Sequence, residues 1–137
     1  MRVVGLDLGS RRVGVAVSDP GGTLASPHAV INRTGDDERD RAAVREVVAE
    51  VEAERVVVGL PLSLDGTDGP AARAARAEAE ALAEVLPVPV ELWDERLTTV
   101  SADRDLMALR MKADARRRVV DKVAAAVMLQ SWLDARG

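Results

Sequence analysis

Three acidic positions in this 137-residue chain stand where acids are costly. Asp7 lies inside Val3-Val4-Gly5-Leu6-Asp7-Leu8, an apolar run that reads as a central strand, where an unpaired charge is penalised by desolvation or neutralised. Asp94 and Glu95 follow directly on Val90-Glu91-Leu92-Trp93 and project from the end of another strand. Asp121 is followed at helical spacing by Ala124, Ala125, Met128 and Trp132, so it heads a largely apolar face that turns towards a sheet. Taken singly, each acid is equally well a cap, a rim acid or half of an ion pair. If Asp7 and Glu95 sit on neighbouring strands and Asp121 on a helix covering them, three carboxylates converge. Two such charges ~4 Å apart repel by roughly 4 kcal/mol at an effective dielectric near 20, so the cluster calls for protons or cations. With no cysteine and one histidine, His28, the donors are oxygens. Oxygen ligands favour one or two Mg²⁺ or Mn²⁺ ions over zinc. Such ions, often paired ~3.5 to 4 Å apart, align water and stabilise the leaving oxygen in phosphodiester hydrolysis. The expected chemistry is that of a metal-dependent nuclease, a hydrolase acting on ester bonds.

Arginines supply the complementary charge. Arg12 and Arg96 stand beside the acids and would each clamp a phosphate bidentately, or pair with the carboxylates themselves. Arg110, Lys112, Arg116, Arg117, Arg118 and Lys122 fall within thirteen residues, opposed only by Asp114 and Asp121. This cluster is either a nucleic-acid contact, with Arg116, Arg117 and Arg118 on the substrate, or a solvated helix approach. Any basic surface has to be local, because the net charge is −4. Aromatic residues amount to 1%, only Trp93 and Trp132, which argues against a base-stacking platform.

The elements that must position these residues follow from pattern. Val3–Leu8 and Val13–Val17 read as an antiparallel hairpin, and residues 23–31 as a third strand that Pro27 confines to an edge. His28 falls there as an ordinary edge residue. Apolar positions at helical spacing over residues 37–54 give an amphipathic helix, Arg55–Leu60 a buried strand, and residues 70–86 a second helix with Asp68 as its N-cap. Val88–Trp93 is a strand. Residues 98–107 and 117–135 read as helices, the last with Val120, Val123 and Val127 on one stripe. Three strands in a meander, then helix and strand in alternation, predict an α/β fold: a five-stranded mixed sheet with helices on both faces, in a single domain over residues 1–137. With 47% hydrophobic and 31% charged residues, one such unit has a core and stays soluble. No run approaches the ~18 apolar residues of a membrane span, and the N-terminal run carries an acid, so neither secretion nor membrane insertion is expected.

Four stretches also resemble a known family in order. They are Asp7-Leu8-Gly9-Ser10-Arg11-Arg12-Val13-Gly14-Val15-Ala16, Val58-Gly59-Leu60-Pro61-Leu62-Ser63-Leu64-Asp65-Gly66, Asp94-Glu95-Arg96-Leu97-Thr98-Thr99 and Val120-Asp121-Lys122-Val123-Ala124-Ala125. They are similar to the successive motifs of the YqgF family of pre-16S rRNA nucleases, also called Holliday-junction-resolvase-like proteins, and they span nearly the whole chain. The resemblance implies a ribonuclease H-like fold and a catalytic, metal-binding set matching Asp7, Glu95 and Asp121. It favours Glu95 over Asp94 as the ligand, leaving Asp94 to orient Arg96 or to cap the next helix. It also implies maturation of the 5′ end of small-subunit ribosomal RNA in the bacterial cytoplasm, on structured RNA or its ribosomal precursor.

Other readings stay open. A resolvase of branched DNA would use the same metal chemistry, as a dimer where an RNA-end processor acts alone, and no oligomer interface is readable. An actin-like kinase shares the opening motif Asp7-Leu8-Gly9, but closes two such domains around its nucleotide. A non-catalytic module binding RNA polymerase or ribosomal precursors leaves the buried cost of the three acids unexplained.

Overall fold

A computed structural model of the chain describes residues 1–97 and 113–136. Its elements are β1 (Val3–Leu8), β2 (Arg12–Ser18), β3 (Ala25–Asn32), α1 (Asp37–Glu50), β4 (Arg55–Leu60), α2 (Pro70–Val85), β5 (Val90–Asp94), a 3₁₀ turn (Glu95–Leu97) and α3 (Ala113–Arg136). The helix expected over residues 98–107 lies outside the described residues. So do Thr98 and Thr99.

One five-stranded sheet runs in the order β3-β2-β1-β4-β5. β1, β2 and β3 form the antiparallel meander, while β4 and β5 are parallel to β1. Each parallel pairing requires a crossover, and α1 and α2 supply the two. β3 is an edge strand, as Pro27 demands, and the register slips so that Val15 faces Ala29 and Ala16 faces Pro27. His28 is therefore the bulged, exposed residue of that edge.

Alternation along the strands sorts the core into two layers. Val4, Leu6, Val56 and Val58 point towards α1 and α2, where Val44, Val48, Ala79 and Leu82 cover them. Val3, Ala16 and Val57 point the other way and are covered by Ala125, Met128, Leu129 and Trp132 of α3. The face beginning at Asp121 is thus the one laid on the sheet. Val123 and Val127, on the separate valine stripe, are only half buried, while Ala124, Ala125 and Ala126 are buried. The cause is a floor of small residues beneath α3: a Cβ at Gly5 would stand 2.8 Å from Leu129 Cβ. Bulky valines would hold the helix off that floor.

Local signals set the helix ends. Asp36 caps α1 by accepting from the Glu38 and Arg39 amides, and Asp37, Glu38 and Asp40 in its first turn complement the dipole. α1 ends at Glu50, short of the expected residue 54, because Glu52 turns the chain left-handed at φ 55°. α2 is capped by Gly69 without a side-chain bond, so Asp68 is not its N-cap. Asp68 is drawn away by Arg76, whose Nε lies 2.7 Å from Asp68 Oδ2. Pro70 at the first helical position needs no amide partner.

Candidate active site

The row of residues across the sheet at Asp7 defines the site. Asp7 pairs with Gly14 of β2, and one step beyond the Leu6–Val58 pair it comes level with Gly59 of β4. Gly59 in turn pairs with Trp93 of β5. By alternation Asp7 shares the α3 face with Val3, and Gly59 shares it with Val57. A half-buried acid is therefore flanked on each side by a residue without a side chain.

Both gaps are filled from outside the row. A Cβ at Gly14 would collide with the backbone carbonyl of Asp121, so the α3 backbone meets β2 at the residue that carries the third acid. A Cβ at Gly59 would fall on the Glu95 carboxylate, 3.0 Å from its Cδ. Glu95 heads the 3₁₀ turn after β5 and folds its side chain back over β4. The expectation that Asp7 and Glu95 occupy neighbouring strands is corrected here, since β4 lies between β1 and β5. Gly59 spans that separation by vacating the space the Glu95 carboxylate enters.

Asp94, one residue earlier, faces a different partner. Its two oxygens accept from Arg96 Nε at 3.1 and 3.0 Å and from Arg96 Nη2 at 2.7 Å, and Oδ1 also takes the Arg96 amide at 2.9 Å. The Arg96 guanidinium holds the Asp94 carboxyl below the ordinary carboxylate range, and Asp94 raises Arg96 in return. Arg96 Nη1 reaches the Leu64 carbonyl at 3.4 Å, so the guanidinium also fastens the β4–α2 loop. Asp94 takes the orienting role, and Glu95 carries the carboxylate set against Gly59.

Arg12 Nε donates to Asp121 Oδ2 at 2.6 Å. That engagement turns the Asp121 carboxylate to the arginine, and among the described residues no three acids, histidines or cysteines stand close enough to hold a metal ion together. The donor set nonetheless fits a hard divalent cation in chemistry: carboxylates only, one of them seated where a Cβ is missing beside Asp7. The backbone of α3 passes through Arg116, Arg117 and Arg118, whose side chains lie outside the described residues.

Two residues that composition set aside tie the site together. Trp93 Nε1 donates to Ser131 Oγ at 3.1 Å, and Trp132 Nε1 donates to Glu91 Oε2 at 2.6 Å. Both indoles therefore lock α3 onto β5, next to the turn that bears Glu95. Sequence offered one signal for this, the position of Trp132 on the apolar face of its helix.

Known proteins place this architecture. A family model described as "RuvX: Holliday junction resolvase" matches residues 1–135. A protein of Myxococcus xanthus and one of Mycobacterium sp. strain KMS, both named "Putative pre-16S rRNA nuclease", are 50% identical to the chain over 135 and 136 residues. Each alignment covers 98% of this chain, with 89% and 80% of the respective relatives. RuvC of Thermus thermophilus is similar in structure, with a TM-score of 0.61 at 18% identity over 99% of this chain and 96% of that one. The expected ribonuclease H-like fold is borne out by that likeness.

Proposed function

The chain belongs to the RuvX family, described as Holliday junction resolvases, and from that premise we propose that it is a metal-dependent endonuclease that hydrolyses phosphodiester bonds in maturing the 5′ end of pre-16S rRNA. The observation that carries the reading is the row Gly14, Asp7, Gly59, which brings Asp121 in over one glycine and the Glu95 carboxylate over the other. Each place left open beside this half-buried acid is taken by an acidic residue, by its backbone at Gly14 and by its carboxylate at Gly59. The row makes sense as room for acids to gather.

In this reading Asp7, Glu95 and Asp121 would hold one or two Mg²⁺ or Mn²⁺ ions. When bound, such an ion supplies Lewis-acid charge to the phosphodiester and the attacking water. Asp7 is fixed by its strand, Glu95 by the 3₁₀ turn, and Asp121 by the contact of its backbone with Gly14. Arg12 serves two groups at once. Its Nε is on Asp121, which leaves both Nη groups for a phosphate oxygen. Arg96 has a guanidinium largely committed to Asp94 and retains fewer donors for the strand. Arg116, Arg117 and Arg118, on the helix that carries Asp121, would follow the backbone further. The unit over 1–137 would act on structured RNA in the cytoplasm, free or on the ribosomal precursor. Among the described residues no helix is long and apolar enough to cross a membrane.

Resolution of branched DNA is the second reading, favoured by the description of the matching family and by a RuvC solved with a Holliday junction substrate. One experiment addresses both: cleavage of a precursor spanning the 5′ end of small-subunit rRNA and of a four-way DNA junction, with Mn²⁺, by the wild type and by Asp7→Asn. Cleavage of the RNA by the wild type alone supports the proposal. Cleavage of the junction alone moves the assignment to DNA, and equal activity in both proteins removes Asp7 from the site.

A further inference from the structure

Two adjoining clefts, of about 440 and 480 Å³, lie on either side of the hairpin tip that joins β1 to β2 and share Ser10, Arg33 and Asp37. Arg33 follows directly on β3, and its amide donates to the Arg11 carbonyl at 2.8 Å, strapping the end of the edge strand to the hairpin tip. Its guanidinium forms no hydrogen bond or ion pair among the described residues, and its Nε is buried without an acceptor. A buried donor left open on a permanently charged group is costly, and such groups call for a partner. Arg11 lines the second cleft and is exposed, likewise with no side-chain partner among the described residues.

The acids of these clefts are largely committed. Asp40 accepts from the Thr34 amide at 3.0 Å and from Thr34 Oγ1 at 2.8 Å. Glu78 takes both Nε and Nη2 of Arg41 at 2.9 Å. Asp37 and Asp40 balance Arg11 and Arg33 in charge, so what sets this groove apart is the buried, unpartnered Nε of Arg33 rather than a net positive charge. Arg12 lines the second cleft as well, and its Nε is on Asp121. The groove is therefore continuous with the candidate active site through one side chain.

We propose that Ser10, Arg11 and Arg33 form a subsite for the phosphodiester backbone of single-stranded RNA, leading the strand away from the carboxylates past Arg12. The proposal builds on the nuclease reading. Arg33, which lines both clefts, and the Ser10 hydroxyl donate to phosphate oxygens, and Arg11 adds charge at the rim.

Equilibrium binding of a single-stranded oligoribonucleotide to the full chain, without divalent ions and between 50 and 200 mM KCl, tests it on Arg11→Gln, Arg33→Gln and, as a control on the exposed face of α1, Arg39→Gln. Each lost phosphate contact reduces the slope of log affinity against log salt by about 0.7. Arg11→Gln and Arg33→Gln are expected to flatten the slope by that amount each, and Arg39→Gln to leave it unchanged. Arg11 lies at an exposed tip, so its variant keeps the test decisive if Arg33→Gln does not fold. A salt-dependent wild type whose slope neither variant alters, or alters no more than Arg39→Gln, overturns the subsite and leaves the nuclease reading standing. A wild type that fails to bind the oligoribonucleotide also overturns the subsite, whereas the nuclease reading falls only with the Mn²⁺ cleavage experiment.

Discussion

Arg12 Nε and Asp121 Oδ2, 2.6 Å apart, join β2 to α3 across 109 residues of sequence. Their side chains are 26% and 28% exposed, so the pair is neither a screened surface contact nor a buried one. It fixes an acid of the candidate site from the opposite end of the chain. Among the described residues only Nε is used, so the proposed role of the guanidinium is to bridge that acid and an anion at its outer edge.

A double-mutant cycle on Arg12→Ala and Asp121→Asn is expected to show a coupling of about 1 kcal/mol in urea unfolding, the upper range for a partly exposed pair. Arg12→Lys restores the charge but offers one compact ammonium in place of a fork. It should regain much of the stability and little of the RNA affinity. Equal recovery of both would reduce Arg12 to a structural cation.

Asp94 makes a prediction in pH. Its carboxyl is held below the ordinary value by hydrogen bonds from the Arg96 side chain, with the Arg96 amide adding to them. A depressed folded-state pKa means that the unfolded state binds more protons as acid is added, so the stabilisation is present above about pH 4 and is lost as pH falls through the folded value. The stability difference between wild type and Asp94→Asn, followed by urea midpoints from neutral pH down to about pH 2, should therefore shrink at the acid end. A constant difference across that range would mean the Arg96 contact does not form in solution.

The fold was legible because its determinants are local: the valine-rich runs of β1 and β4, the proline in β3, and the helical spacing of α1 and α2. The three candidate acids drew notice for a related reason, since charge inside an apolar pattern is conspicuous. What sequence did not reveal was how Asp7 and Glu95 approach one another with β4 between them. Gly59 reads from sequence as the end of a strand; its function in the row appears only once the register sets it beside Asp7. Arg33 was invisible for the opposite reason, because a lone arginine in a turn carries no pattern, and only its unpartnered Nε singles it out.

Metal binding should be visible without turnover. A ligand that binds only the folded state at 100 times its dissociation constant stabilises by about 2.7 kcal/mol. Mn²⁺ at such excess should raise the melting temperature of the wild type by several degrees and leave Asp7→Asn unmoved. An equal rise in both would place the ion elsewhere.

The two glycines beside Asp7 should fail in different ways when each is replaced by alanine. At Gly59 the new Cβ meets the far end of the flexible Glu95 side chain, which gives way at less cost than backbone. Gly59→Ala should thus fold with a stability loss of about 1 kcal/mol or less, yet lose on the order of 100-fold in cleavage as the carboxylate is displaced. At Gly14 the Cβ meets the Asp121 carbonyl, part of a helix backbone that is itself packed on the sheet through Ala125 and Leu129. That backbone moves only with the whole helix, so Gly14→Ala should cost about 3 kcal/mol or more in unfolding, in the range of severe overpacking. The pair separates the two functions of an absent side chain, since one glycine admits a candidate catalytic group and the other admits the helix that carries a second candidate. Comparable stability losses in both variants would mean that Gly59 is needed for packing and that Glu95 does not occupy its space.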